Sequence, residues 1–320
     1  MSQARLIAGI LALLAALSGC SRGSTPAPAA SGAAPAPAVQ PATPVANEGP
    51  RIVMSDDNVH LEYHVLGHGD PAVVLIHGWA GNENYWHEQF GVLEARYTVV
   101  AVNLAGHGAS GRNRTDWSID NYARDVATIV RQVPNRQLVL VGHSMGATVA
   151  LAAAPKIGVR VIGIIAVDAL RSVGLPPLSP PETEARVAPF RADFIGETRK
   201  LVSDSLFEKG ADPILVQKLA YDMSLSPPDI AVASLKGLLA VDFATLLPQV
   251  HVPVYAINSD LMPTDVTRIR RTLPDFTLDV LPHTGHFPML EAPARFNPLL
   301  LKDIEALRLR AARPAHSGGT

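Results

Sequence analysis

The amino-acid sequence predicts an α/β protein: a mostly parallel, doubly wound sheet with a helical cap inserted after the sixth strand. Three observations carry this expectation. Between residues 72 and 167, β-branched apolar runs alternate with helix-like stretches, the pattern of parallel strands covered by helices on both faces. One strand-to-helix junction is the compact Gly142-His143-Ser144-Met145-Gly146. The rhythm then breaks from about 172 to 248, where Pro176-Pro177, Pro180-Pro181 and Pro227-Pro228 separate segments with apolar residues at helical spacing, such as Phe190, Phe194 and Leu201.

The elements follow in order. Residues 51–55 and 59–66 read as two antiparallel strands turned by Asp56-Asp57-Asn58. Strand 72–77, helix 84–94, strand 97–103, helix 118–132, strand 138–143, helix 146–155 and strand 161–167 come next. Asp212-Pro213 within the cap reads as an N-cap followed by proline at the first helical position. Strands at 252–257 and 276–281 return to the sheet. The last helix is expected to begin at Asn297 as N-cap, because Pro298 should break a helix running unbroken from Pro293. The folded domain is therefore expected over 51–312, with a tail at 313–320.

The chain has 320 residues, 48% of them hydrophobic, enough for a large core. A net charge of −2 leaves no basic footprint, so nucleic acid is not an expected partner. No glycine-rich phosphate loop or clustered metal-ligand spacing is present, so neither cofactor nor metal is expected. The pattern leaves oligomeric state open.

The first fifty residues speak to location. A basic residue at Arg5 and the apolar run 6–17 form an n-region and h-region too short to span a bilayer. Leu17-Ser18-Gly19-Cys20 resembles the lipobox of bacterial lipoproteins, whose signal peptide (here 1–19) is removed and whose cysteine is acylated. Cys20 is the chain's single cysteine. This implies a lipid-anchored, palmitoylated envelope protein, with Ser21 favouring the outer membrane and a periplasm-facing domain. Residues 21–50 contain seven prolines and nine alanines and no aromatic residue, the composition of an extended tether. Fully extended, it would reach about 90 Å.

The junction at Ser144 carries the chemistry. Leu138-Val139-Leu140-Val141 reads as a buried strand and 147–154 as an alanine-rich helix, so Gly-x-Ser-x-Gly stands where a nucleophile elbow would. The plainer reading makes Ser144 the N-cap of that helix. In an acyl-transfer site, the backbone N–H groups of Met145 and Trp79 would form the oxyanion hole. A strand ending in Asn258-Ser259-Asp260 and another delivering Pro282-His283-Thr284-Gly285-His286 supply an acid and a base in the chain order serine, acid, histidine.

With these motifs, and with Asn103-Leu104-Ala105-Gly106-His107-Gly108 and Gly285-His286-Phe287-Pro288-Met289-Leu290-Glu291, residues 51–311 resemble the α/β-hydrolase superfamily, specifically its capped esterase and lactonase-like branch. Asn103 replaces the family's usual Asp, and Asn258 its common Gly. The resemblance implies Ser144 as nucleophile and His286 as base, with His283 the alternative. It implies Asp260 as the acid, with Asp168, at the end of the preceding strand, the alternative. His77, His107 and His143 are expected to pack or to fix loops.

The implied reaction is hydrolysis of a small to medium carboxylic ester, lactone or thioester through an acyl-enzyme. A serine at the elbow argues against dehalogenase or epoxide hydrolase chemistry, which uses Asp there. Cofactor-free haloperoxidase and carbon–carbon bond hydrolase chemistry use the same triad and stay open. So does a catalytically silent binding lipoprotein, which four intact candidate groups argue against.

Overall fold

The computed structural model describes residues 49–313. The expected signal peptide, Cys20, the tether up to residue 48 and the tail from 314 lie outside the described residues.

Eight strands form one sheet: β1 (Arg51–Met54), β2 (His60–Leu66), β3 (Ala72–Ile76), β4 (Thr98–Val102), β5 (Leu138–His143), β6 (Val161–Val167), β7 (Val254–Ser259) and β8 (Phe276–Leu281). Their spatial order is β1-β2-β4-β3-β5-β6-β7-β8. β1 and β2 pair antiparallel, β2 pairs antiparallel with β4, and the remaining pairs are parallel. The sequence shows why. The central strands β3, β4 and β5 are buried at every position, as strands covered on both faces must be. β1 instead alternates between half-buried and exposed positions, as befits an edge.

Helices α1 (His87–Glu94), α2 (Ile119–Val130) and α3 (Met145–Ile157) follow β3, β4 and β5. The cap occupies the chain between β6 and β7. It comprises α4 (Pro180–Ala192), α5 (Phe194–Ser205), α6 (Pro213–Ser224), α7 (Pro228–Leu239) and the single turn α8 (Phe243–Leu246). Asp212 accepts the Ile214 N–H, as the sequence suggests, and Ser179 and Glu182 form a capping box at α4 that the sequence reading did not name. Phe190, Phe194 and Leu201 are all buried, so their spacing marks the inner face of the cap.

After the short α9 (Val266–Arg270) and α10 (Pro288–Glu291), the last helix α11 runs from Pro293 to Ala311 straight through Pro298. The expected N-cap at Asn297 is thus corrected by five residues, to Ala292. Phe296, Leu300, Ile304 and Leu307 are buried, and this stripe crosses the proline, so packing outweighs the lost hydrogen bond. The Asn297 side chain, freed from capping, donates to Glu88 O (2.9 Å) and accepts from Gln89 Nε2 (2.8 Å), tying α11 to α1.

The buried face of α11 also holds Asp303, whose carboxylate oxygens have no hydrogen-bond partner; Lys302 Nζ stands 3.5 Å away. Burial pushes this carboxyl up to about 7, against the pull of Lys302. The folded state therefore keeps a proton that the unfolded chain releases, and stability present at low pH is lost as pH rises through 7. Asp303→Asn is expected to raise the Tm at pH 8 by about 4 °C or more, with the gap closing near pH 4. Thermal unfolding at both pH values checks this; an equal gap at both would show that no buried charge is involved.

Candidate active site

Ser144 sits at the carboxyl end of β5, with φ 51° and ψ −115°. A positive φ at a non-glycine residue is strained, by about 1–3 kcal/mol, and such strain concentrates at functional positions. The turn holds because its neighbours are glycines. A Cβ on Gly142 would lie 2.2 Å from Gly146 O, and one on Gly146 would lie 2.4 Å from Ile76 O. Ser144 makes no side-chain capping bond to α3, so the plain N-cap reading fails. Its N–H donates to Val167 O (3.0 Å), and its side chain lines a cavity instead.

The register then assembles the rest. Ile76 pairs with Gly142, which brings the His77-Gly78-Trp79 loop beside the elbow. His77 Nδ1–H donates to Gly78 O (2.8 Å) and its Nε2 accepts the Leu104 N–H (3.1 Å), fixing that loop. Burial drives the His77 imidazole well below its ordinary range, so it is neutral. His107, whose Nδ1–H reaches Ala105 O, is pushed down to about 4 by burial. His143 donates from Nε2 to His286 O (2.7 Å) and is pushed down to about 3, again by burial. All three are structural imidazoles, as expected. Trp79 ends this loop, and Met145 opens α3, where a first-turn amide has no intrahelical acceptor.

His286 is buried, and its Nδ1 bonds Asp168 Oδ2 at 2.6 Å. His283, the alternative base, lies exposed with φ 56°. The preferred acid needs correction: the carboxylate on His286 is that of Asp168 and not that of Asp260. Asp260 is exposed, and its Oδ1 accepts the His283 N–H (2.8 Å). The cause is a two-residue displacement of β7, which begins after Pro253 and runs to Ser259. Ser259, and not Asp260, therefore lies beside Asp168 and donates to its Oδ1 from both N (2.8 Å) and Oγ (2.7 Å). Burial alone would raise the Asp168 carboxyl; the His286 hydrogen bond and the Arg171 guanidinium outweigh it and hold it well below the usual carboxylate range.

Sequence reasoning missed Arg171, Ser259 and the role of Glu291. The Glu291 carboxylate accepts the N–H groups of Gly285 (2.8 Å) and Phe287 (2.9 Å), bracketing His286. It stood inside a quoted motif, which was the available signal; Arg171 had none. The two departures from the family pattern also have jobs. Asn103 Oδ1 accepts the Glu83 N–H (3.0 Å) while its Nδ2 donates to Glu62 (2.6 Å). Asn258 exchanges hydrogen bonds with the Ala169 N–H and C=O, holding the loop that carries Asp168.

Ser144, His143, His286, Gly78 and Trp79 floor a cavity of about 20 Å³, roofed by Leu201, Leu206, Met223, Leu235 and Leu238 of the cap. That is room for about one water. Trp79 both lines this cavity and props the cap: its ring meets Phe190 and Phe194 edge-on, and Nε1–H donates to Ala231 O (2.7 Å). Tyr85 lines both this cavity and an open groove of about 450 Å³ that carries Arg112, Lys218 and Asp222. Glu62, His64 and Glu83 bring possible ligand atoms within 4.8 Å of one another, a grouping the linear spacing does not announce.

A serine on a strained elbow, a buried imidazole and a carboxylate aimed at it can run acyl transfer. Known proteins share this fold. A candidate non-heme chloroperoxidase from Synechocystis sp. is 27% identical over 283 residues, covering 80% of this chain and all of the relative. A thermophilic esterase from Thermogutta terrifontis superposes with a TM-score of 0.72 at 23% identity, covering 81% of this chain and 99% of that one. A bromoperoxidase from Bacillus anthracis gives 0.67 at 19% identity, covering 80% and 100%. Residues 73–299 match the alpha/beta hydrolase family, and the chain, a mostly parallel eight-stranded sheet with its chemistry gathered at the strand ends, belongs to that family.

Proposed function

We propose that the protein is a serine hydrolase that cleaves a carboxylic ester, lactone or thioester through an acyl-enzyme. The observation that carries this reading is that His286, bonded to Asp168 at 2.6 Å, lines the same cavity as the strained Ser144. Ser144 Oγ attacks the substrate carbonyl while His286 Nε2 takes its proton. Asp168 holds Nδ1–H and stabilises the imidazolium. The Trp79 and Met145 N–H groups receive the oxyanion. His286 returns the proton to the leaving group, and water then repeats the cycle to free the acid. A fluorophosphonate probe should label the protein covalently, with the adduct mapped to Ser144 by peptide mass spectrometry. An unlabelled folded protein would point to a silent binding module.

The similarity to a bromoperoxidase and a candidate chloroperoxidase favours one second reading, perhydrolysis of carboxylic acids by peroxide on the same residues. Halogenation of monochlorodimedone that needs both acetate and peroxide distinguishes it from plain hydrolysis.

Trp79 and the cap leucines support a small acyl group, since a closed apolar pocket discriminates by about 1–3 kcal/mol per misfitting methylene. In a p-nitrophenyl ester series, kcat/KM is expected to peak between about two and eight carbons. A maximum at sixteen carbons would make the enzyme a lipase.

The lipobox-like Leu17-Ser18-Gly19-Cys20 supports a membrane tether. Cys20→Ala is expected to release the protein from the membrane fraction or to block its processing, while the domain from Arg51 onward stays active, because alanine cannot carry the acyl chains that a firm anchor needs. Native protein whose Cys20 carries no lipid by mass spectrometry would exclude the anchor.

A further inference from the structure

Only one oxygen of Asp168 serves His286. The other, Oδ1, accepts three donors: Arg171 Nη2 (2.7 Å), Ser259 N (2.8 Å) and Ser259 Oγ (2.7 Å). Arg171 is itself fixed, with Nε donating to Met262 O (3.1 Å) and Nη2 to Ser259 O (3.2 Å). Arg171 is 5% exposed and Asp168 2%. Stability does not explain this arrangement, since replacing a buried ion pair by apolar groups is often neutral or stabilising. Its position does. The guanidinium closes on the face of the carboxylate opposite the imidazole, so rotation of the acid is blocked and its charge is already matched.

We propose that Arg171 is a positioning residue: it locks Asp168 with Oδ2 turned to His286 and matches that carboxylate's charge, so that the acid limb of the reaction depends on Arg171. This rests on the serine-hydrolase reading above. A bare buried carboxylate would favour the imidazolium more strongly; one already paired favours it less.

Among the described residues, no other group facing His286 substitutes for this effect. From β5, the His143 ring stands 4.7 Å away between centroids and is neutral. From the segment after His286, the Glu291 carboxylate is bound by the Gly285 and Phe287 N–H groups. Asp260 is occupied by the His283 N–H at the exposed rim. The cap presents Leu206 O, which accepts the His286 N–H (2.7 Å), and apolar side chains.

The test is the second-order rate of fluorophosphonate labelling of the full-length protein from pH 5 to 9, for wild type, Arg171→Gln and Arg171→Lys. Arg171→Gln removes the charge; its acid limb is expected to move up by about one pH unit or more, with a lower plateau. Arg171→Lys keeps the charge but cannot bridge Asp168 and the Met262 carbonyl, so its limb should match wild type while its plateau falls. An Arg171→Gln limb that coincides with wild type, with only the melting temperature changed, overturns the inference and leaves the serine-hydrolase reading intact. If Arg171→Gln does not fold, Arg171→Lys decides: a lowered plateau supports the inference, and a wild-type profile overturns it. Wild-type protein that resists labelling at every pH overturns both readings.

Discussion

Replacing Ser144 by alanine is expected to reduce ester hydrolysis by about 10³–10⁶-fold while leaving the fold intact. The hydroxyl is the only atom removed, and it makes no capping bond to α3. The backbone conformation is set by Gly142 and Gly146, which the substitution does not touch. Melting temperature should therefore change little, and any residual rate should come from the Trp79 and Met145 N–H groups and substrate binding alone. The measurement is single-turnover hydrolysis of a short p-nitrophenyl ester alongside circular dichroism. Wild-type turnover in this variant would remove Ser144 from the chemistry.

The second large effect separates two aspartates. Asp168→Asn should lower kcat by about 10⁴, because an amide oxygen and NH₂ opposite Nδ1 no longer select the histidine tautomer that leaves Nε2 free. Asp260→Asn should stay within about threefold of wild type, since an amide oxygen can still accept the His283 N–H on the exposed rim. Both variants keep side-chain volume, so the comparison isolates the charge and the hydrogen bond. The opposite ranking would return the role to Asp260 and require His286 to turn away from the bond at 2.6 Å.

Much of the fold was legible because its signals are local. The continuous apolar runs of β3 and β5 mark strands buried on both faces, and the alanine-rich stretch after Ser144 marks α3. Phe190, Phe194 and Leu201 marked the cap by their helical spacing. The readings that failed depended on packing. Pro298 looked like a stop, but the buried stripe of α11 runs past it, and Asn297 found a use on α1 that no cap rule foresees. The shift of β7 beyond Pro253 was of the same kind: small in sequence, decisive for which side chain reaches the site.

By itself, then, the sequence determined the doubly wound sheet, the elbow at Ser144, the His286 loop and the cap, because each is written in a short period or a contiguous motif. Only the tertiary structure decided which carboxylate completes the site. Asp168 and His286 are 118 residues apart, and their contact depends on β6 lying between β5 and β7 in a register that sets Val167 against His143 and Ile257. Two aspartates at two strand ends look equivalent along the chain. The register gives Ser259 to the one after β6, beside the nearby Arg171, and solvent to the other, because a parallel sheet fixes neighbours by strand order and not by distance in sequence.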